Sequence, residues 1–186
     1  MAEADPPPRR DAKKTRAAIL AAAQEAFSVQ GYIATGVRDI TAAAGVNPAL
    51  VNRYFGSKDK LYEAALGALL DAGQVTSFSR ETFGKQVVAM LTARQHTRRN
   101  PLPMMLLASA DPAARAITQR LLREIFIEPL ALWYGPQRGE AKAACFAMLA
   151  SGMTVYRDIY ALAPLAGEMD ETTRSWLAAC FQSLID

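Results

Sequence analysis

Apolar residues recur along this chain every three to four positions, which is the spacing of one face of an α-helix. In the first such segment, over about 11–29, one stripe is formed by Ile19, Ala23 and Phe27. Because no alternating run of β-branched residues occurs, the pattern predicts an all-α fold. The helices are predicted over about 11–29, 37–44, 48–55, 57–72, 80–95, 104–110, 111–134 with a kink at Pro129, 138–162 and 170–185.

The composition changes twice along the chain, and these changes predict its domains. Residues 1–10 contain three consecutive prolines and end in two arginines, which predicts a disordered arm, either idle or reaching into a DNA minor groove. Small polar residues loosen the apolar pattern after about residue 72. We therefore expect one domain at 11–72 and a second, larger one at 73–186.

Positive charge is concentrated in the first third of the chain. Nine Lys/Arg and four Asp/Glu residues lie between Arg9 and Lys60, whereas the two signs balance from Leu61 onward. A basic excess of this kind is expected of a domain that faces phosphate, and also of a merely solvated charged face. The charge alone does not choose between them.

The stretch 31–60 has the pattern of two short helices joined by a tight turn. Gly45 sits between them and is suited to a left-handed turn conformation. Asn47 is suited to cap the second helix, and Val51 and Phe55, four residues apart, are expected to face inward. The other side of this two-turn helix is then left exposed. This arrangement describes a helix-turn-helix, with a generic helical hairpin as the alternative.

The same stretch resembles the TetR (tetracycline-repressor-like) family of transcriptional regulators. The resemblance covers about residues 12–72, and the matching positions are Gly31, Tyr32, Thr35, Val37, Ile40, Ala44, Gly45, Val46, Tyr54, Phe55, Ser57, Lys58 and Leu61. It implies an N-terminal three-helix DNA-binding domain of the helix-turn-helix type. It also implies a C-terminal helical domain for ligand binding and dimerisation.

The resemblance also implies roles for individual residues of the first domain. Phosphate contacts are carried over to Thr35, Tyr54 and Lys58. The face that enters the major groove is carried over to Asn47, Pro48, Ala49, Leu50, Asn52 and Arg53. Asn52 is expected to pair an adenine edge, and Arg53 either a guanine edge or a phosphate.

Three departures from the family pattern bear on these roles. Gly36 replaces a usual threonine or serine, so a helix-capping hydroxyl is missing, and Thr35 or backbone amides are expected to substitute for it. Ala49 and Asn52 stand where glycine and tyrosine are commoner, and they lie on the reading surface. They therefore bear on which operator is read.

The last two helices are the expected dimer surface. The first of them is rich in small apolar residues, which suits close helix packing, and the resemblance implies the same pair; burial within one subunit is the alternative. The predicted interface residues are Ala144, Met148, Val155, Leu177, Cys180, Phe181 and Leu184.

The second domain is also expected to hold an unidentified small-molecule effector. Methionine and aromatic side chains suit an adaptable pocket, although at helical spacing they also suit ordinary core. The candidate pocket residues are Met90, Met104, Met105, Phe126, Trp133, Met148, Met153 and Tyr156.

Several classes of protein are disfavoured by the sequence. Cys145 and Cys180 lack metal-ligand spacing and predict reduced, buried thiols, and a single histidine builds neither a metal site nor a catalytic triad, so we expect no cofactor and no enzyme. The longest uncharged stretch, 143–156, is too short to span a membrane. The resemblance to the TetR family implies a homodimeric repressor that an effector releases from a palindromic double-stranded DNA operator, and we expect it to be cytoplasmic. The alternatives are an all-α enzyme or ligand-binding protein with an incidental basic domain, and an activator or nucleoid binder without an effector.

Overall fold

The computed structural model describes residues 9–93 and 100–185, and within these ranges the chain is helical without strands, which confirms the predicted fold class. The helices are α1 (Arg9–Ala34), α2 (Val37–Ala43), α3 (Ala49–Phe55), α4 (Lys58–Gly67), α5 (Gly73–Thr76), α6 (Phe83–Thr92), α7 (Pro101–Ala108), α8 (Pro112–Leu121), α9 (Glu128–Tyr134), α10 (Gly139–Thr154) and α11 (Glu171–Gln182). A 3₁₀ turn precedes α6 at Arg80–Thr82, and π-helical segments follow α8 at Leu122–Ile127 and α10 at Val155–Ile159.

Most differences from the predicted helices are at their ends. α1 begins at Arg9, so the last two residues of the predicted arm are helical, while residues 1–8 lie outside the described residues. α4 ends at Gly67, and the end of the helix predicted to reach residue 95 also lies outside the described residues. α7 starts three residues early, because the side chain of Asn100 accepts a hydrogen bond from the Leu102 N–H and caps it.

The type of helix changes just before Pro129, the position at which the sequence predicts a kink. The residues just before it, Leu122–Ile127, are π-helical, and α9 carries the proline in its first turn. A proline has no N–H to donate and its ring crowds the carbonyl four residues earlier, so the regular α-helical ladder is disrupted on its N-terminal side.

The helices group into two compact units that do not follow chain order. The first unit consists of the described residues of Met1–Leu69 and Arg99–Leu121, and the second of those in Leu70–Arg98 and Leu122–Asp186. The first unit therefore contains α1–α4 together with α7 and α8. The predicted functional division near residue 72 remains a prediction, and the return of α7 and α8 to the first unit is a feature that it did not include.

The core of the first unit is built around the inner stripe of α1. Ile19, Ala23 and Phe27 are fully buried, as predicted, and α1 packs against α4 and α7. The ring of Phe27 lies 5.3 Å from that of Tyr62 in an edge-on contact and 5.9 Å from that of Tyr32. This aromatic cluster holds the end of α1 against α4.

Gly31 interrupts α1 close to the predicted end of the first helix at about residue 29, and α1 continues beyond it to Ala34. Its φ of 78° is left-handed, and a Cβ at this position would lie 3.0 Å from the Cβ of Leu107 on α7. Both the conformation and the close approach favour glycine.

The second unit has a separate core of aromatic and branched aliphatic side chains. Its fully or nearly fully buried members include Phe83, Phe146 and Phe181, and Leu130 lies with them. Gly84 lets α6 approach α11 so closely that a Cβ there would lie 1.9 Å from the carbonyl oxygen of Ala178. The positions of α6 and α11 are thus fixed by backbone contact as well as by side-chain burial.

Candidate nucleic-acid interface

The turn between α2 and α3 has the geometry expected of a helix-turn-helix. Gly45 has a φ of 66°, and the N–H of Val46 donates to the carbonyl oxygen of Thr41 at 3.0 Å. The side chain of Thr41 is fully buried, and its hydroxyl donates to the carbonyl oxygens of Val37 and Arg38. A threonine can be buried here because its hydroxyl is satisfied within α2.

The α3 helix is capped and anchored in the predicted way. The Asn47 side-chain oxygen accepts a hydrogen bond of 2.9 Å from the Ala49 N–H, and Val51 is fully buried. Phe55 is half-buried, and the guanidinium carbon of Arg16 lies 4.8 Å from the centre of its ring. A helix of two turns is not stable alone in water, so these contacts with the rest of the unit hold it in place.

The opposite side of α3 faces solvent within its unit. Leu50 and Tyr54 are half-buried, and the exposed residues are Asn47, Pro48, Ala49, Asn52 and Arg53. The predicted reading face and the predicted Tyr54 contact therefore lie together on and beside one short helix. Amide and guanidinium groups on an outward helix face are the groups that read base edges in a major groove.

The start of α4 brings a cation to the same end of the unit. Ser57 caps the helix by accepting from the Lys60 N–H at 3.1 Å. Lys58, half-buried, places its ammonium nitrogen 4.3 Å from the ring centre of Tyr32. The phenol O–H of Tyr32 donates to Asp59. Burial, reinforced by this hydrogen bond to the carboxylate, raises the pKa of Tyr32 well above its ordinary value, so the phenol stays protonated as a donor.

Thr35 is placed differently from the phosphate contact that the resemblance implied. Its side chain is 1% exposed, and its hydroxyl donates to the carbonyl oxygens of Gly31 at 2.6 Å and Ala26 at 3.2 Å. The hydroxyl therefore satisfies the end of α1 and is not presented to a phosphate. Gly36 has no side chain to cap α2, and its own N–H donates to the Asp39 carboxylate at 3.0 Å.

Two further exposed cations of the first unit were not singled out from the sequence. Arg38 is exposed on α2, and Arg16 is exposed on α1 with its guanidinium over Phe55. The basic excess between Arg9 and Lys60 was the only available signal for either residue. Which of those cations flank α3 depends on how α1 and α2 pack.

The predicted dimer residues fall into two groups. Ala144 and Met148 are exposed on α10, with Met148 66% exposed, and Val155 follows that helix half-buried. On α11, by contrast, Leu177 and Phe181 are buried in the core of their own unit, while Cys180 and Leu184 are half-buried. Both faces of α11 carry apolar residues, so the sequence did not distinguish its core face from its free face.

The exposed apolar residues of the last two helices include some that the sequence prediction omitted. Trp176 on α11 is 65% exposed. Cys145 is exposed on α10, although both cysteines were predicted to be buried. The exposed or half-exposed positions of α10 recur at helical spacing as Ala141, Ala144, Cys145, Met148 and Gly152.

The predicted effector-pocket residues are divided between the two compact units. Met104 is fully buried and Met105 half-buried on α7 of the first unit. Met148 and Tyr156 lie mostly exposed in the second unit. The remaining four, Met90, Phe126, Trp133 and Met153, belong to the second unit's core or pack against it.

The second unit has an open cavity elsewhere, with a volume of about 620 Å³. It is lined by Arg123, Ile127, Glu128, Ala131, Leu132, Gly135, Pro136, Gly139 and Glu140. None of the eight predicted pocket residues belongs to this lining.

Two other kinds of feature are not found among the described residues. In residues 9–93 and 100–185 no three His, Cys, Asp or Glu side chains converge in a way that would hold a metal ion. Over the same part of the chain, no helix combines the length and the apolar character needed to cross a bilayer.

Comparison with protein-family models matches almost the whole chain after its first 18 residues. Residues 19–65 match the model described as bacterial regulatory proteins, tetR family. Residues 81–185 match the model described as a tetracyclin repressor-like C-terminal domain.

A curated relative supports the first of these matches. An HTH-type transcriptional repressor of Mycobacterium tuberculosis is 48% identical over 59 residues, which is 32% of this chain and 29% of the relative. The aligned segment thus spans less than a third of that protein's own length.

Solved structures extend the likeness over the rest of the chain. A TetR-family transcriptional regulator from Rhodococcus aligns with a TM-score of 0.69 and 18% identity, over 94% of this chain and all of that one. NalD, the secondary repressor of the MexAB-OprM multidrug efflux pump in Pseudomonas aeruginosa, aligns with a TM-score of 0.65 and 23% identity, over 92% of this chain and 96% of that one. At these identities the likeness shows the fold.

Proposed function

The chain belongs to the TetR family of bacterial regulatory proteins, and from this membership we propose that it is a homodimeric repressor whose α3 helix reads a palindromic operator. The observation that carries the proposal is the outward face of α3. Asn52 and Arg53 are exposed there, while the neighbouring Val51 is fully buried.

The proposed DNA contacts divide by role. Asn47, Ala49, Asn52 and Arg53 are the base-reading group, because they are exposed on or at the start of α3. Tyr54 and Lys58 are the phosphate-positioning group. Arg16 and Arg38 join the second group, because guanidinium groups near a groove bind phosphate oxygens strongly.

A second copy of the chain is the proposed partner. One α3 helix reads only a few base pairs, and two such helices about 34–36 Å apart are needed to enter successive major grooves. The proposed surface is the exposed face of α10 with Ala144 and Met148, joined by Trp176 of α11. Leu177 and Phe181 are left out of it, because they are already buried within their own subunit.

Release by an effector is proposed to act on the DNA-binding helices through α4 and α8. The hydroxyl oxygens of Tyr62 on α4 and Thr118 on α8 are 2.7 Å apart, and the Arg120 guanidinium lies 2.8 Å from the Glu63 carboxylate. α8 continues directly into the π-helical segment Leu122–Ile127 of the second unit. A ligand that favours another position of that segment would move α4, and with it α3. Such coupling is typically about 1–3 kcal/mol.

The cavity of about 620 Å³ in the second unit is the proposed effector site. Its volume lies within the range of ligand pockets. Leu132 and Ile127 provide apolar contact, the Arg123 guanidinium lies 3.7 Å from the Glu140 carboxylate, and Glu128 adds a further negative charge. This combination favours a largely apolar effector with at most one positive charge.

Selection of bound duplexes from random-sequence DNA tests the proposal. The wild-type protein is expected to enrich a palindromic site. Arg53→Ala is expected to lose about 1–3 kcal/mol of preference at one position in each half-site if Arg53 reads a guanine. If Arg53 binds phosphate instead, the variant binds all sites more weakly by a similar factor. Lys85→Ala, which removes an equal charge from an exposed position of α6, is the matched control and should behave as wild type. Failure to enrich any site would refute the operator proposal.

A further inference from the structure

We propose that Tyr32 is a positioning residue for DNA binding, because its ring holds the ammonium group of Lys58 where a backbone phosphate can accept a hydrogen bond from it. The inference rests on the proposed function. It adds a residue that makes no DNA contact of its own but sets the geometry of one that does.

The contact geometry is the first argument. The Lys58 ammonium nitrogen lies 4.3 Å from the ring centre of Tyr32, within the range of a cation–π interaction. Tyr32 itself is fixed from behind, since its ring makes an edge-on contact of 5.3 Å with Tyr62 and a stacked contact of 5.9 Å with Phe27. Tyr32 is 8% exposed while Lys58 is half-buried. The ammonium therefore rests on a rigid ring and keeps donors free on its outer side.

The electrostatics of α4 is the second argument. Lys58 is the first residue of a ten-residue helix, where the positive end of the helix dipole disfavours a cation. Asp59, the next residue, would ordinarily attract the ammonium group, but its carboxylate accepts the Tyr32 phenol O–H. The Tyr32 side chain thus contacts the Lys58 ammonium group with its ring and donates a hydrogen bond to the Asp59 carboxylate with its hydroxyl.

The ring favours DNA binding because Lys58 then loses less side-chain entropy when it binds a phosphate. A lysine has four flexible methylene groups, and fixing them on a phosphate costs conformational entropy. Part of this entropy is already lost in the free protein when the ammonium lies on the ring. Replacing the ring by an aliphatic group would free Lys58 to move and to pair with Asp59.

The test is the salt dependence of DNA binding by four variants: Tyr32→Leu, Tyr32→Phe, Lys58→Ala and the double variant Tyr32→Leu/Lys58→Ala. The probe is a duplex that the wild-type protein has enriched from random-sequence DNA. Each phosphate contact contributes about 0.9 to the slope of log K against log salt. Lys58→Ala should lower the slope by about this amount for each half-site.

Tyr32→Leu should lower the slope as Lys58→Ala does and weaken binding roughly fivefold for each half-site. Tyr32→Phe keeps the ring and should keep the wild-type slope. In the double variant, the leucine should add little to the loss from Lys58→Ala. Phe27→Leu is the matched control, because Phe27 belongs to the same aromatic cluster without contacting a cation, and it should lower stability while leaving the slope unchanged.

A second measurement needs no DNA. After reductive ¹³C-methylation of lysines, the resonance of Lys58 should be shifted upfield by the Tyr32 ring in the wild type, and this shift should disappear in Tyr32→Leu but persist in Phe27→Leu. If the wild-type protein binds DNA and Tyr32→Leu shows the same dependence of log K on log salt, the inference is overturned and the operator proposal stands. The inference is overturned in the same way if Tyr32→Leu lowers affinity equally with and without Lys58. Absence of DNA binding by the wild type would overturn both.

Discussion

The hydrogen bond between Tyr62 and Thr118 makes a directional prediction about stability. The two hydroxyl oxygens are 2.7 Å apart and both residues are buried. The Thr118 hydroxyl also donates to the carbonyl oxygen of Ala114 at 2.8 Å. We assign Tyr62 as the donor, because the Thr118 proton is then kept for the Ala114 carbonyl oxygen. Burial raises the pKa of Tyr62, which keeps the phenol in its donating form.

Because of this direction, removing the donor and removing the acceptor are expected to lower the free energy of unfolding by different amounts. Tyr62→Phe removes the donor, but Thr118 keeps its bond to Ala114, so we expect a loss of about 1 kcal/mol in the free energy of unfolding. Thr118→Val leaves the phenol O–H buried without an acceptor, which costs about 1–3 kcal/mol. The double variant removes both groups, so it should be destabilised by less than the sum of the single losses.

Urea unfolding followed by circular dichroism measures these losses. Because the chain has two compact units, the unfolding transition of the first unit is the one compared between variants. The comparison is made between variants whose free energy of unfolding depends on urea concentration with the same slope. Thr41→Val is the matched control, since Thr41 is buried in the first unit and its hydroxyl donates to the Val37 and Arg38 carbonyl oxygens within its own helix. A Tyr62→Phe loss equal to or larger than that of Thr118→Val would refute the assigned direction of the bond.

Three further predictions concern close packing, assembly and pH. Gly84→Ala would be stabilising in an ordinary helix, but here we expect it to destabilise the second unit by about 3 kcal/mol or more in urea unfolding. The reason is that the new Cβ meets the Ala178 carbonyl oxygen. An unchanged stability would show that α6 and α11 can move apart at little cost. Met148→Glu should shift the sedimentation of the purified protein from dimer to monomer, because it places a charge in the proposed apolar interface, and an unchanged dimer would exclude this face. The Arg120 guanidinium holds the pKa of Glu63 below its ordinary value of 4.5, so this pair stabilises the fold above that pH and the benefit is lost as the pH falls through the lowered pKa. The stability difference between wild type and Glu63→Gln should therefore shrink in acid, and a constant difference would contradict this account.

The local features of the site could be predicted because each is set by a few neighbouring residues. Gly45 at a left-handed turn, Asn47 as a cap and Val51 as the anchor of α3 are all found. A glycine with positive φ or a capping side chain acts within about four residues, so the order of residues along the chain contains the necessary information.

Features that depend on packing between distant segments could not be predicted in this way. Thr35 matches a family position, but only the folded chain shows that its hydroxyl is turned toward the carbonyl of Gly31. In α11 both Trp176 and Leu177 are apolar, and hydrophobicity does not tell which one the core of the unit buries. The cation–π contacts of Arg16 and Lys58 likewise join residues from different helices.

The return of α7 and α8 to the first unit determines how this protein can be divided in the laboratory. A fragment cut at residue 72 would lack Thr118 and Leu107, leaving the Tyr62 phenol without its acceptor and uncovering the groove beside Gly31. A chimaera that exchanges sequence specificity between relatives by swapping only the N-terminal segment would pair one protein's α1 and α4 with another's α7 and α8. Transplanting residues 100–121 together with the N-terminal segment keeps these partners matched.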